Sequence, residues 1–166
     1  WEYLPELVRP YFVCRISVAG AAEELARRFD TTYVADYRAY HQELGFSEPT
    51  ITSADEIINA QVASERALRS RANRVLFLES DLLRTILETD DAGVQSRFAS
   101  GGYEALLERN RPDAVITIHA PDALYRRELA QRGWSLHEVP LDHPDPVTAA
   151  EEIARTVLAR HWKSAT

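Results

Sequence analysis

Short polar stretches follow four apolar segments of this chain, and they hold its best candidates for chemistry. Gly20 follows the first apolar segment, residues 36–38 follow the second, residues 79–81 the third and residues 119–122 the fourth. Ligands of open α/β sheets bind where the carboxyl ends of the strands meet. If the four segments are parallel strands, their polar ends share one edge, and we predict the functional site there.

Glu79, Ser80 and Asp81 form the strongest of these stretches. In proteins that transfer phosphate, a carboxylate in this place holds magnesium, and a second accepts the proton of the substrate's hydroxyl group. We therefore predict Glu79 and Asp81 as metal ligands, with Asp81 also a catalytic residue. The alternative interpretation is structural, because Ser and Asp residues at such a position also cap the following helix.

The other candidates are less specific. Asp36 can bind a sugar hydroxyl and Arg38 can hold a phosphate or carboxylate through paired hydrogen bonds, or both are ordinary charges at a helix start. Asn59 and Gln61, on a long helix, either bind a nucleoside or face solvent. Arg126 and Arg127 lie on the helix after the fourth strand. They either serve as lid arginines or belong to a solvated helix face.

The elements that must position these residues are predicted from apolar runs, caps and glycines. We predict strands over residues 11–19, 31–35, 74–78, 114–118 and 134–139. Helices are expected over residues 22–29, 36–44, 53–72, 81–89, 94–109 with a break at 101–102, 121–132 and 145–161. Strands alternating with helices indicate an α/β fold, a five-stranded parallel sheet with helices on both faces.

The turn at Gly20 is where such a fold places a phosphate-binding loop. A phosphate loop has the pattern G-x-x-x-x-G-K-[ST], and here no second glycine, lysine or hydroxyl residue follows Gly20. The predicted helix over 22–29 also rises only about 12 Å, which is less than the preceding strand needs for a crossover. We therefore expect a segment of about eight residues to be missing between Ala21 and Ala22.

Composition excludes several classes of protein. The net charge of −7 disfavours a general nucleic-acid binder, which carries a basic face. The hydrophobic content of 45% is enough for a real core, and the single Cys14 is expected inside it. No signal peptide or apolar span of about 20 residues occurs, so we expect a cytoplasmic protein without membrane contact. The chain contains no methionine, which indicates that it does not begin where translation began.

Several stretches together resemble one family of kinases. They are WEYLP at 1–5, VRPYF at 8–12, FDTT at 29–32, ANRVLF at 72–77 and SDLL at 80–83. These stretches are similar to the ribosylnicotinamide kinase domain of the bifunctional NAD-biosynthesis and regulator proteins, in which an adenylyltransferase domain precedes the kinase. The resemblance implies that residues 1–12 are an interdomain linker, or the tail of such a preceding domain, and that residues 13–166 form a P-loop kinase-like domain.

The resemblance also implies an activity and a set of roles. The activity is phosphorylation of the 5′-hydroxyl of nicotinamide riboside, with ATP and magnesium as cofactors. Gly20 and Ala21 match the start of the nucleotide-binding loop, and Arg126 and Arg127 would contact ATP from the lid. The nucleoside would be bound by Tyr37, Arg38, Asn59 and Gln61, and its hydroxyl would be oriented and deprotonated by Asp36 or Asp81.

The chain departs from the family pattern in its loops. The residues of the phosphate loop beyond Ala21 are absent, and so is the family's tryptophan-containing lid segment after the fourth strand. Without the loop lysine, we expect the chain as it stands to be inactive. Two alternatives to the kinase function follow: a non-catalytic relic acting as a regulatory or partner-binding module, and a kinase for another small nucleoside.

Overall fold

The computed structural model describes residues 12–17, 20–37, 51–117, 123–140 and 142–165. Five strands lie in these ranges, and they are β1 (Phe12–Ser17), β2 (Tyr33–Val34), β3 (Val75–Leu78), β4 (Ala114–Thr117) and β5 (Leu136–Glu138). They form one sheet in the order β2-β3-β1-β4-β5, and every neighbouring pair is parallel. The predicted five-stranded parallel sheet is therefore confirmed.

Seven helices lie in the described ranges. α1 (Ala21–Arg28) follows β1, α2 (Ile51–Arg69) lies between β2 and β3, and α3 (Leu82–Glu88) follows β3. The other four are α4 (Ala92–Ala99), α5 (Glu104–Arg109), α6 (Ala123–Arg132) and α7 (Pro146–Ala165). None of the helices described is both long and apolar enough to cross a membrane.

The sheet is covered on both faces because its central strands are mostly apolar and buried. Alternate residues of a strand point to opposite faces, and Cys14 and Ile16 pack with Leu25 of α1 and Ala154 of α7 in one core. On the other face, Val115 packs with residues of α2 to α6 in a second core. Burial raises the pKa of the Cys14 thiol far above its usual value, as expected of a core cysteine.

Most helix ends follow their sequence signals. Asp91 caps α4 by accepting a hydrogen bond from the Val94 amide at 2.8 Å, and the glycines at 101–102 separate α4 from α5. Gly101 has a φ of 81°, a conformation that L side chains rarely adopt.

The start of α2 was predicted wrongly, because the helix begins at Ile51 rather than at the capping pattern of Ser53. Of the helix predicted over 36–44, residues 38–44 lie outside the described residues, as does the segment at 1–11.

In the structure, no gap separates Ala21 from Ala22, where we expected a missing segment. The two alanines are consecutive residues in the first turn of α1, and both are buried. The geometric argument failed because β2 has only two residues and pairs with β3 at Phe77 and Leu78. An eight-residue helix followed by residues 29–32 is long enough to reach that short strand.

Asp113 holds the start of β1 against β4, and its loss has a modest expected cost. Its Oδ2 atom accepts a hydrogen bond from the Val13 amide at 2.8 Å, and its own amide donates to the Val13 carbonyl at 2.7 Å. We expect Asp113→Ala to lower the free energy of unfolding by about 1 kcal/mol, measured by urea denaturation. Asp113→Asn keeps an acceptor oxygen and is the control. Equal losses in the two variants would contradict this role.

Candidate functional site at the carboxyl edge of the sheet

The strand order has a topological switch point beside the end of β1. In the order β2-β3-β1-β4-β5, the connection from β1 runs toward the β2 end of the sheet, and the connection from β4 runs toward the β5 end. Adjacent strands whose connections diverge in this way leave an opening at their carboxyl ends, where α/β proteins bind ligands. By this rule we expect the site at the ends of β1, β3 and β4, with β2 next to β3.

Gly20 lies at this edge but does not begin a phosphate loop. It is exposed, has a φ of 76°, and occupies the N-cap position of α1 without a capping side chain. Its carbonyl accepts a hydrogen bond from the Glu24 amide at 3.1 Å, so the helix starts immediately. Only residues 18–20 separate β1 from α1, which is too few for the loop pattern that cradles phosphates.

Glu79 and Asp36 meet at the ends of neighbouring strands. The Oε2 atom of Glu79 accepts a hydrogen bond from the Asp36 amide at 2.9 Å. The Glu79 amide donates to the Val34 carbonyl at 3.0 Å. The two residues predicted from separate stretches are thus brought together, and the backbone that carries Asp36 is fixed by the Glu79 side chain.

Asp81 is fully buried, and both of its carboxylate oxygens are occupied. The Oδ1 atom accepts a hydrogen bond from the Arg84 amide at 2.9 Å, which caps α3. The Oδ2 atom accepts a short hydrogen bond from the Tyr125 hydroxyl and lies 3.4 Å from Nε of Arg15. The capping role considered for Asp81 is therefore observed, while its metal-binding and catalytic roles stay predictions.

Arg15 was not singled out by the sequence, although it is an arginine in the middle of an apolar strand. Its side chain is fully buried, and the guanidinium lies over the ring of Tyr125, 4.7 Å from the ring centre. None of its side-chain nitrogens makes a hydrogen bond of good geometry to the described residues. Its charge is therefore balanced mainly by Asp81, an arrangement in which removing either partner is costly.

Gln61 belongs to the same buried layer. Its Nε2 atom donates to Oε1 of Glu65 at 3.0 Å and to the carbonyl of Ser80 at 2.9 Å, which ties α2 to the end of β3. Burial, followed by the repulsion of Asp81, raises the pKa of Glu65 to about 8, although the hydrogen bond from Gln61 opposes this. Gln61 thus links α2 to the end of β3. Its contact with a nucleoside stays a prediction.

The remaining predicted residues are dispersed. Asn59 is exposed on α2. On α6, Arg126 forms a short ion pair with Glu138, at the carboxyl end of β5, and Arg127 is exposed. Arg38 lies outside the described residues, as do the polar residues at 119–122.

Arg84 is another residue of this region that the sequence did not single out. Its Nη1 atom donates a hydrogen bond to Oγ of Ser17 at 3.1 Å, and it also forms a short ion pair with Glu88. It thereby brings a guanidinium group to the end of β1, where a phosphate-binding protein needs positive charge. The one sequence signal for Arg84 was its position three residues after a capping aspartate, which places it in the first turn of α3.

The residues that the structure describes at this edge do not form a site for magnesium and ATP. In the described ranges, no group of three or more His, Cys, Asp or Glu side chains is arranged to hold a metal ion. Both oxygens of Asp81 are engaged by protein donors, and the turn at Gly20 offers neither the lysine nor the hydroxyl of a phosphate loop.

Comparison with known proteins identifies the fold. No model of a known protein family matches the chain, and no curated protein matches it. A solved structure does match: the crystal structure of NadR protein in complex with NR, with a TM-score of 0.70 and 15% sequence identity. The match covers 89% of this chain and 50% of that chain, so this chain spans about half the length of its neighbour. At this identity the likeness establishes the fold alone, a parallel α/β sheet with helices on both faces.

Proposed function

We propose that this chain binds nicotinamide riboside, or a closely related pyridine nucleoside, at the carboxyl edge of its sheet. The observation that carries the proposal is the likeness of fold, over 89% of the chain, to the NadR protein solved in complex with NR. The switch point of the strand order, between β1 and β4, is where open α/β sheets bind ligands. A pyridine nucleoside also suits an edge that carries carboxylates and lacks a phosphate loop, because its ring is cationic.

In this proposal Asp36 and Glu79 act together. Glu79 holds the amide of Asp36, so the backbone at the end of β2 is fixed before the ligand arrives. The Asp36 carboxylate binds a ribose hydroxyl, and Tyr37, the next residue, contacts the pyridine ring. Arg38 and Asn59 are further proposed contacts of the nucleoside. A prearranged carboxylate loses little conformational entropy on binding, which favours affinity.

The second candidate is the complete kinase reaction, ATP-dependent phosphorylation of the 5′-hydroxyl to nicotinamide mononucleotide. The position of Glu79 and Asp81 at the end of β3, beside β1, supports it, since these are its proposed magnesium ligands. In it, Asp36 or Asp81 is the base, and Gly20, Ala21, Arg126 and Arg127 contact ATP. We rank it second because the loop lysine is absent and Asp81 is already engaged. A kinase for another nucleoside meets the same objection.

A domain that binds a nucleoside without transferring phosphate serves as a sensor or as a regulatory or partner-binding module. An adenylyltransferase domain joined before residue 1 is the partner implied by the resemblance of the segment at 1–12. A cytoplasmic location fits a pyridine nucleoside as ligand. The regulatory role, the joined domain and the location are parts of the proposal that do not depend on the binding experiment.

Isothermal titration calorimetry tests the binding proposal. We expect nicotinamide riboside to bind the full chain with a saturable heat, and Asp36→Asn to weaken the affinity at least tenfold by removing the charged acceptor. Asp30→Asn is the matched control, because Asp30 follows α1 at the opposite edge of the sheet. Its φ of 51° also suits asparagine, so the control should fold normally and bind with unchanged affinity.

The same samples distinguish the two candidates. Incubation with nicotinamide riboside, ATP and magnesium is followed by chromatography for nicotinamide mononucleotide. Binding without product supports the first candidate, and binding with product that Asp36→Asn abolishes establishes the second. Absence of any heat with nicotinamide riboside overturns both.

A further inference from the structure

The central strand of the sheet carries a charged residue at its middle. Arg15 lies in β1, paired with Leu78 of β3 on one side and with Val115 of β4 on the other, and its side chain is fully buried. Paired residues of neighbouring strands point to the same face, so Arg15 shares the face of Val115, which α2 to α6 cover. Burying a charge is costly unless its neighbours compensate it, so the reason for this arginine lies in what surrounds it.

Two side chains from distant elements surround the Arg15 guanidinium. Asp81, which follows β3, lies with its Oδ2 atom 3.4 Å from Nε of Arg15. The guanidinium lies over the ring of Tyr125 in α6, and the Tyr125 hydroxyl donates to that same Oδ2 atom. Because arginine does not lose its proton in proteins, these contacts hold a permanent positive charge beside the carboxylate.

Asp81 has the position at which proteins that transfer phosphate hold magnesium, after the third strand and beside β1. A carboxylate has lone pairs for about four partners, so the hydrogen bonds that it already accepts do not by themselves exclude a metal. The guanidinium does, because two cations a few ångströms apart repel each other strongly in a buried region. Arg15 has little freedom to move aside, since β1 is hydrogen-bonded on both sides and the side chain is enclosed.

The buried layer around Arg15, as far as the described residues show, is electrically balanced without a metal. Glu65 is a second buried acid in it, and its pKa is raised to about 8, mainly by burial, so it keeps its proton at neutral pH. If Glu65 were ionised, Arg69 on the same helix is the nearby cation that would balance it. One guanidinium and one carboxylate therefore cancel, and a divalent ion would add two uncompensated charges.

We propose that Arg15 is a resident cation, which takes the place of a divalent metal ion at Asp81. The carboxylate is held by a charge that belongs to the chain itself, and a metal–nucleotide complex finds no ligand in it. The switch point between β1 and β4 is then left to a ligand that carries no metal, such as the pyridine nucleoside proposed above. Only this last step rests on the proposed function, because the exclusion of the metal depends on Arg15 and Asp81 alone.

Titration of the full chain with divalent ions tests the parent protein. We expect Mn²⁺ and Mg²⁺ to leave its melting temperature where sodium chloride of equal ionic strength leaves it, because neither ion can replace Arg15. Electron paramagnetic resonance follows free Mn²⁺ directly in the same titration. The reference is the double variant Arg15→Met with Asp81→Ser, in which both charges are absent, and it should take up no less Mn²⁺ than the parent.

Removal of the resident cation should open its position to another one. Arg15→Ala leaves Asp81 buried without a counter-charge, so we expect a lower melting temperature that added Mn²⁺ or ethylguanidinium raises saturably. Arg15→Lys keeps a positive charge and should gain no such dependence. Arg132→Ala is the matched control, because Arg132 is also largely buried and paired with Glu104, but lies at the other end of α6 from Tyr125. No added cation should stabilise it saturably.

Two results would overturn the proposal. One is saturable Mn²⁺ binding by the parent that disappears in the double variant, because Asp81 would then accept a metal beside Arg15. The other is an Arg15→Ala variant that no added cation stabilises or refolds, since a cation in solution should replace the missing charge.

Titration of nicotinamide riboside into the parent, once with Mg²⁺ and once with a chelator, tests the step that concerns the ligand. We expect equal affinities in the two titrations, and binding that requires Mg²⁺ would contradict the proposal. Absence of heat in both would count against the nucleoside proposal alone, because the metal titrations test Arg15 without any nucleoside. Failure of either proposal is therefore seen independently of the other.

Discussion

Asp81→Ala is expected to lower the free energy of unfolding by about 4 kcal/mol, because it leaves the Arg15 guanidinium buried without a counter-charge. The variant also removes the cap of α3 and the acceptor of the Tyr125 hydroxyl. Urea denaturation followed by circular dichroism measures the loss. Such a loss is a large fraction of the free energy of unfolding of a typical domain, so the urea midpoint should shift strongly.

Asp91→Ala is the matched control for this prediction. Asp91 caps α4 through the Val94 amide in the same way that Asp81 caps α3, but no described arginine pairs with its side chain. Its loss should cost only about 1 kcal/mol, the usual value for a helix cap. Equal costs for the two variants would show that the ion pair with Arg15 contributes nothing beyond the cap.

A double variant separates the ion pair from the cap. Arg15→Met combined with Asp81→Ser removes both charges and keeps an oxygen that can cap α3. Replacement of a buried ion pair by apolar groups is often neutral, so this variant should recover most of the stability lost in Asp81→Ala. Failure to recover it would mean that the Tyr125 hydroxyl, rather than Arg15, is the group that depends on Asp81.

The layered sheet could be predicted from sequence because its signals are local. Apolar runs of four to six residues between helical segments specify buried parallel strands, and the glycines at 101–102 mark a helix break by their own chemistry. The start of α4 was predicted wrongly at residue 94, because Asp91 caps the helix and it begins at Ala92. That the residues after β2 and β3 share one edge followed from the general rule that parallel strands end at the same edge, whereas the hydrogen bond between Asp36 and Glu79 was not predicted. The start of α2 was missed because capping patterns also occur inside helices.

The buried polar layer could not be predicted, since it depends on contacts between distant segments. Arg15 lies in β1, its partner Asp81 follows β3, and Tyr125 lies in α6. Nothing in the local sequence of any of the three indicates the other two. The same limit explains why Asp81 was interpreted as an open carboxylate: whether its oxygens are free depends on a tyrosine 44 positions away.

The pH dependence of stability is the second large expected effect, and Glu65 is its source. The side chain is fully buried, and its pKa is raised from 4.5 to about 8 in the folded chain. Burial is the main cause, the charge of Asp81 adds to it, and both Gln61 and Arg69 act in the opposite direction. Between these two pH values the folded chain keeps a proton that the unfolded chain has lost.

The sign of the effect follows from this difference in bound protons. Because the folded state holds more protons between pH 4.5 and about 8, raising the pH through that range favours unfolding. A single group in this situation lowers the free energy of unfolding by about 1.4 kcal/mol for each pH unit. Its stabilising contribution is complete below pH 4.5 and is lost progressively as the pH rises through the folded pKa.

Glu65→Gln isolates this contribution, because glutamine resembles the protonated side chain and does not titrate. We expect the variant to match the parent chain in stability near pH 5 and to be clearly more stable at pH 8, as measured by urea denaturation at several pH values. Glu56→Gln, an exposed change on the same helix, is the control and should follow the parent at every pH. A parent and a Glu65→Gln variant with parallel curves would mean that Glu65 is ionised in the folded chain, balanced by the arginines nearby.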